Sequence, residues 1–276
     1  MKNADCTIIV CSCDKYADLL SPFGILWTRY WADCPFETVL VTETEPANLQ
    51  GFDRVIACGA GGNWSSRLVA ALKAITSKYV LMLCDDYYLA QQVDTAQILK
   101  RLGDMKRYNA LNLRMIPNPV GGTLYRDSDL LEYKKNTAYC IATQAGFWDR
   151  EFLLSLAERT NSIWDLERKG SFMVGGETRP LLHTATKEFP FVDAVHKGYW
   201  EPFGKALVER EGIAYDFAKR NLPPFKVRVR EWLKGVVFNA VPTTLLVKVQ
   251  NALNQGWKEQ PRTPTGRAAP LGGATR

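Results

Sequence analysis

With 276 residues, 46% hydrophobic and 23% charged, the chain is long enough to bury the core of one large domain or two small ones. Its composition excludes disordered, collagen-like and disulfide-knot classes. The net charge of +6 is uneven: residues 226–258 carry +5 and 259–276 carry +2, which leaves residues 1–225 at −1. A nearly neutral body argues against nucleic-acid binding, which needs basic residues interleaved with aromatics across a surface.

Cys6 to Cys13 is a β-branched apolar run that reads as a buried parallel strand. Ala17 to Trp31 has helical spacing, and Phe36 to Thr42 reads as a second strand, which together make the crossover unit of an α/β sheet. Arg54 to Cys58 is a short strand. A glycine-rich loop, Gly59 to Asn63, follows, and Ser65 or Asn63 can cap a helix reaching about Ser77. Tyr79 to Cys84 is the clearest central strand, and Asp85-Asp86 follows it at once. Gln91 to Tyr108 reads as helix, Ala110 to Met115 as strand, and Pro117 to Lys135 as a surface excursion rich in glycine, proline and charge. Tyr139 to Thr143 is strand-like, Asp149 opens a helix to Arg159, and beyond Trp164 the pattern weakens toward Pro224.

Residues 225–258 place apolar positions at helical spacing beside Lys226, Arg228, Arg230, Lys234, Lys248 and Lys258, with a break at Pro242. This basic amphipathic extension fits packing on the main domain, packing on a second protomer in a homodimer, or an anionic membrane surface. Residues 259–276 read as a disordered tail. The expected organisation is a main domain over residues 1–224, in two halves (1–115 and 116–224), followed by the extension and the tail.

The seven cysteines lie mostly in apolar runs, which favours reduced, buried thiols. Cys11-Ser12-Cys13 lacks the spacing of a structural zinc site. The start of the chain carries no signal-peptide core, and no segment reaches the roughly 20 apolar residues of a bilayer span. The expectation is a cytoplasmic protein, peripheral at the inner face of the membrane if the basic extension docks there.

Ligands of open α/β sheets bind beyond the carboxyl ends of the strands, where Asp85 and Asp86 lie. Adjacent carboxylates repel unless a cation neutralises them, and hard oxygen ligands suit Mg²⁺ or Mn²⁺ held with a nucleotide diphosphate. The pair also fits a turn cap beside a solvated carboxylate. Arg67 lies in the first turn of the helix after the glycine-rich loop, where it could reach a phosphate; the loop is neither a G-x-G-x-x-G fingerprint nor a P-loop. Gln144 to Arg150 and Ser162 to Glu167 carry Trp148 and Trp164 among polar groups, a combination that makes platforms for sugar rings. Asp165 or Glu167 could then act as a general base. Arg114, at a strand end, is a candidate acceptor or phosphate contact. His183 and His196 are the only histidines, and each fits a surface or core-edge position.

Ser12 to Leu19, Tyr30 to Pro35, Trp64 to Leu68, Asp85-Asp86-Tyr87, Gln144 to Trp148 and Trp164 to Glu167 occur in an order that resembles bacterial nucleotide-sugar glycosyltransferases of the GT-A fold. The resemblance is to enzymes that build capsule, O-antigen and other surface polysaccharides, and it covers residues 6–215. It implies a Rossmann-like, mixed α/β sheet flanked by helices, a catalytic domain whose first half (1–115) binds the nucleotide-sugar and whose second (116–224) receives the acceptor. It further implies a UDP-, GDP- or dTDP-linked sugar donor, a glycan or lipid-linked acceptor, and an inverting transfer. Asp14 and the Arg67 helix would face the nucleoside. Cys84-Asp85-Asp86 would stand in place of the D-x-D element, with Cys84 departing from the first aspartate. Asp86 would hold a divalent cation, with His196 as a further ligand, and Asp85 would lie toward the ribose or donor sugar. Glu167 would be the acceptor-side base, with Asp165 its rival, and Gln144, Trp148, Trp164 and Arg114 would line the acceptor.

Two other classes compete. A nucleotidyltransferase of nucleotide-sugar synthesis would carry glycines with arginine and lysine soon after the first strand, and Cys11 to Tyr16 has no glycine. A non-catalytic nucleic-acid or polysaccharide-binding protein would spread its basic residues over the body.

Overall fold

The computed structural model describes residues 2–46 and 49–224. The expected amphipathic extension and tail lie outside these residues. The first half runs β1 (Cys6–Cys11), a 3-10 turn (Asp14–Leu19), α1 (Leu20–Tyr30), β2 (Glu37–Thr42), β3 (Arg54–Ala57), α2 (Trp64–Ala74), β4 (Tyr79–Cys84), β5 (Tyr87–Leu89), α3 (Thr95–Arg107) and β6 (Asn112–Arg114). The second half adds β7 (Thr123–Leu124), β8 (Leu130–Glu132), β9 (Gly146–Asp149), α4 (Arg150–Ala157), α5 (Ile163–Met173) and β10 (Leu181–Thr184). It closes with β11 (Phe191–Asp193), β12 (Val195–His196), β13 (Tyr199–Trp200), α6 (Pro202–Arg210) and a 3-10 turn (Phe217–Lys219).

Nine strands form one mixed sheet in the order β3-β2-β1-β4-β9-β6-β10-β8-β7. Strands β3, β2, β1 and β4 are parallel, and β9 runs antiparallel between β4 and β6. Strand side chains alternate between two faces, and both faces here are covered. Ile8, Val10, Leu81 and Leu83 meet α1 and α3 on one side; Ile9, Val80 and Met82 meet α2, α4 and α5 on the other. That double burial is why β1 and β4 read as unbroken apolar runs.

Helix starts follow local chemistry. Asn63 accepts from the Ser66 amide at 2.8 Å, Asp149 from Phe152 at 3.1 Å and Ser162 from Asp165 at 3.1 Å, each satisfying a donor that the first helical turn leaves open.

Three expectations change. Tyr139 to Thr143 is not a strand but a buried irregular segment, whose Ile141 amide donates to the Ser171 hydroxyl at 3.0 Å instead of to a sheet neighbour. Gln144 to Arg150, read above as a polar segment around Trp148, contains β9. Gly146 is what lets β9 enter the sheet, because a Cβ there would lie 2.8 Å from the Leu113 carbonyl oxygen. The expected excursion at residues 117–135 holds β7 and β8, which extend the sheet with Leu130 fully buried. Among the described residues no helix is long and apolar enough to cross a membrane.

Candidate functional site

Strands β1 and β4 are neighbours in parallel register, with Cys11 opposite Cys84, so the residues after each emerge on one sheet edge. The Ser12 hydroxyl donates to Asp85 Oδ2 at 2.5 Å, and the Asp85 amide donates to the Cys11 carbonyl at 3.2 Å. Asp85 is buried; loss of hydration pushes its carboxyl up to about 7, against the hydrogen bond from Ser12. Asp86, half-buried, is raised by burial and then by the charges of Asp85 and Asp193.

Asp193 is a site residue that sequence reasoning missed. Strand β11 pairs with β5, setting Asp193 opposite Tyr87, and the Ala194 amide donates to the Asp86 carbonyl at 2.7 Å. Asp193 is exposed, and partial loss of hydration beside its neighbours raises its carboxyl also. Only the pairing of two short strands about a hundred residues apart reveals it. His196, expected as a metal ligand, is exposed on β12. The β12–β13 hairpin turns at Lys197 and Gly198, whose φ of 52° and 84° are the pair of left-handed residues that a two-residue turn requires.

After β1 opens a cleft of about 540 Å³ lined by Asp14, Lys15, Asp18, Gly198, Lys219 and Arg220, with Asp85, Asp86 and Asp193 outside its lining. Asp14 stands on its wall and accepts from the Thr44 amide and hydroxyl, each at 3.0 Å. Arg67 does not stand there. Its buried guanidinium donates to Glu43 and to the Gly62 carbonyl, both at 2.9 Å, and it reaches Asp14 only through Glu43, which accepts from the Asp14 amide at 3.0 Å.

On the acceptor side, Glu167 is buried on α5; its Oε1 accepts from the Thr143 amide at 2.8 Å and hydroxyl at 2.7 Å. Its other oxygen has no hydrogen-bond partner among the described residues. The Tyr87 hydroxyl donates to the Thr143 carbonyl at 3.4 Å, so Glu167, held by the same Thr143, lies beside the strand end that carries Asp85-Asp86. Asp165 points elsewhere: it accepts from the Asn161 amide at 3.2 Å and pairs with Lys169 at 3.0 Å. Trp164 is 58% exposed at the start of α5, and Gln144 is half-buried just before β9.

Two acceptor expectations are corrected. Trp148 has no exposed surface; it lies in the core on β9, stacked with Phe152 at 6.3 Å, and presents no face to a sugar. Arg114 is also fully buried. It donates to the carbonyls of Asn118 at 2.5 Å, Cys140 at 2.8 Å and Tyr139 at 3.2 Å, and its guanidinium lies 4.0 Å from the Tyr133 ring centre. It is an interior strut for two loops.

The metal expectation can be tested on the donor set. Asp86 and Asp193 supply two mutually repelling carboxylates, neither with a side-chain hydrogen bond or ion pair among the described residues. No group of three or more His, Cys, Asp or Glu that could hold a metal ion occurs among those residues. Such a set suits a hard cation whose remaining ligands come from a substrate, not a closed protein cage.

No family model and no curated protein matches the chain. Among solved structures, S. aureus TarS, residues 1–349, is similar at 14% identity over 67% of this chain and 60% of that one, with a TM-score of 0.40. The match therefore spans less than two thirds of the TarS chain. The 2-C-methyl-D-erythritol 4-phosphate cytidylyltransferase of Thermus thermophilus is similar at 13% identity over 77% and 98% of the two chains, TM-score 0.43. CMP:2-keto-3-deoxy-manno-octonic acid synthetase, complexed with CTP, is similar at 12% identity over 76% and 99%, TM-score 0.45.

Proposed function

We propose that this chain is a GT-A-type glycosyltransferase that moves a sugar, with inversion, from a nucleotide diphosphate donor to a hydroxyl of a growing surface glycan or lipid-linked acceptor. The observation that carries the reading is the buried Glu167 carboxylate, oriented by Thr143 and lying beside the strand end that bears Asp85 and Asp86. Thr143 holds Oε1, which leaves Oε2 to take the proton of an acceptor hydroxyl. The hydroxyl oxygen so deprotonated attacks the anomeric carbon while the bond from this carbon to the diphosphate breaks, and the proton stays on Glu167. The exposed Trp164 indole, one turn-start away on α5, offers an apolar face to the acceptor ring.

A divalent cation, Mn²⁺ or Mg²⁺, would be held by Asp86 with Asp193 beside it, and would supply charge neutralisation of the departing diphosphate. Ser12 keeps Asp85 in place at the bottom of that edge.

The test is release of nucleoside diphosphate from UDP-, GDP- and dTDP-sugars in the presence of glycan acceptors. Glu167→Gln should lower kcat by about 10²–10⁴-fold with donor affinity kept. Asp86→Asn should cut turnover while the melting temperature holds or rises, because a repelled, desolvated charge is removed. Full turnover by Glu167→Gln, or release of pyrophosphate from a nucleoside triphosphate in place of sugar transfer, would reject the reading.

A further inference from the structure

The chain returns to the first strand's exit at residues 213–220. Arg220 Nε and Nη2 each donate to a different oxygen of Asp18, both at 2.7 Å, and Nη2 also donates to the Lys15 carbonyl at 2.8 Å. The Tyr215 hydroxyl donates to the same Asp18 carboxylate. Burial alone would raise Asp18, yet the hydrogen bonds from Arg220 and Tyr215 outweigh it and hold the carboxyl below its ordinary range. The guanidinium lies 4.5 Å from the Tyr16 ring centre and is 9% exposed. A bidentate, stacked arginine is fixed in one orientation.

That clamp neutralises Asp18 and leaves Arg220 Nη1 with no hydrogen-bond partner among the described residues. Lys15 and Lys219, both exposed, line the same cleft without an ion pair among the described residues. Asp14 is the other acid of the lining, held by Thr44, and Asp85 and Asp86 lie outside the lining, near enough for the Arg220 charge to act on them. The cleft therefore has a cationic wall built from the 3-10 turn after β1 and from the returning segment, with the acidic strand exit beyond it.

Resting on the donor reading above, we propose that Lys15, Lys219 and Arg220 form a seat for the donor's diphosphate that binds without a metal ion, with the Asp18–Arg220 clamp as its positioning element. The cations of the wall neutralise one side of the diphosphate, and a metal on the acidic side adds to the affinity without creating it.

Titration calorimetry of the whole chain with UDP, GDP, dTDP and inorganic pyrophosphate, in EDTA and in Mn²⁺, tests this. At least one nucleoside diphosphate, and pyrophosphate as its competitor, should bind in EDTA. Lys15→Ala and Lys219→Ala should each weaken that binding by about threefold, as for exposed charge pairs. Arg220→Gln should weaken it by about tenfold. The two lysine variants touch only exposed side chains, so they decide the matter even if Arg220→Gln unfolds. Binding that vanishes in EDTA and returns with Mn²⁺, or lysine variants with unchanged affinity, would overturn the seat while the donor reading stands. Absence of nucleoside diphosphate binding in both conditions would overturn the two together.

Discussion

Asp165 and Glu167 are two positions apart on one α-helix, a separation of about 200° around the axis, so they cannot serve the same site. Glu167 turns inward to Thr143, and Asp165 turns to Lys169 one helical turn on and to the Asn161 amide at the helix entry. Asp165→Asn should keep turnover within about threefold of the parent and lower the melting temperature slightly, since only a partly exposed ion pair is lost. A collapse of activity in that variant with Glu167→Gln still active would reverse the assignment of the base. The residue scale also separates the two tryptophans of the acceptor region. Trp164 presents more than half of its surface, and Trp148 presents none. Sequence neighbours supplied the same polar company to both, so only burial could tell platform from core.

At the scale of elements, the segment that carries Arg220 is tied at its beginning as well as at its end. Glu211, just after α6, accepts from the Tyr30 hydroxyl at 2.7 Å and from Arg29 at 2.6 Å, both on α1, and from Arg210 at 2.9 Å. These bonds, the one from Tyr30 first, hold its carboxyl down at about 2 against an ordinary 4.5. A carboxylate whose folded value is depressed stabilises the protein above its unfolded value, and the contribution disappears as the pH falls from 4.5 toward 2. Glu211→Gln should therefore melt earlier than the parent near neutral pH, with the gap closing below pH 4.5 in parallel thermal scans; a gap independent of pH would show that the anchor is not electrostatic. Helix α5 depends on its cap in the same local way. Ser162→Ala should cost about 1 kcal/mol by denaturant titration, because the Asp165 amide loses its acceptor at the turn that leads to Glu167.

At the scale of the whole molecule, β9 is the keystone, antiparallel between two strands that would otherwise be parallel neighbours. Its Phe147 faces one core and Trp148 the other. Trp148→Ala should cost about 3–5 kcal/mol of unfolding free energy, measured in denaturant, since the cavity opens where two layers meet. A loss below 1 kcal/mol would show that the indole is not core. Features made by contiguous residues are legible along the chain: the apolar run Tyr79–Cys84 as a central strand, its acidic exit at Asp85-Asp86, and the helix starts at Asn63 and Asp149, because strand burial and capping are local. Which distant groups meet is settled by folding. Asp193 comes to Asp86 through a two-strand pairing, Arg220 comes to Asp18 across 202 positions, and Arg67 is drawn off to Glu43. Periodicity records which face of an element is apolar, but a hydrogen bond or a shared cleft between remote residues leaves no trace in spacing. The reason is that such contacts are selected by the packing of the whole sheet and its helices, which no single stretch of chain contains.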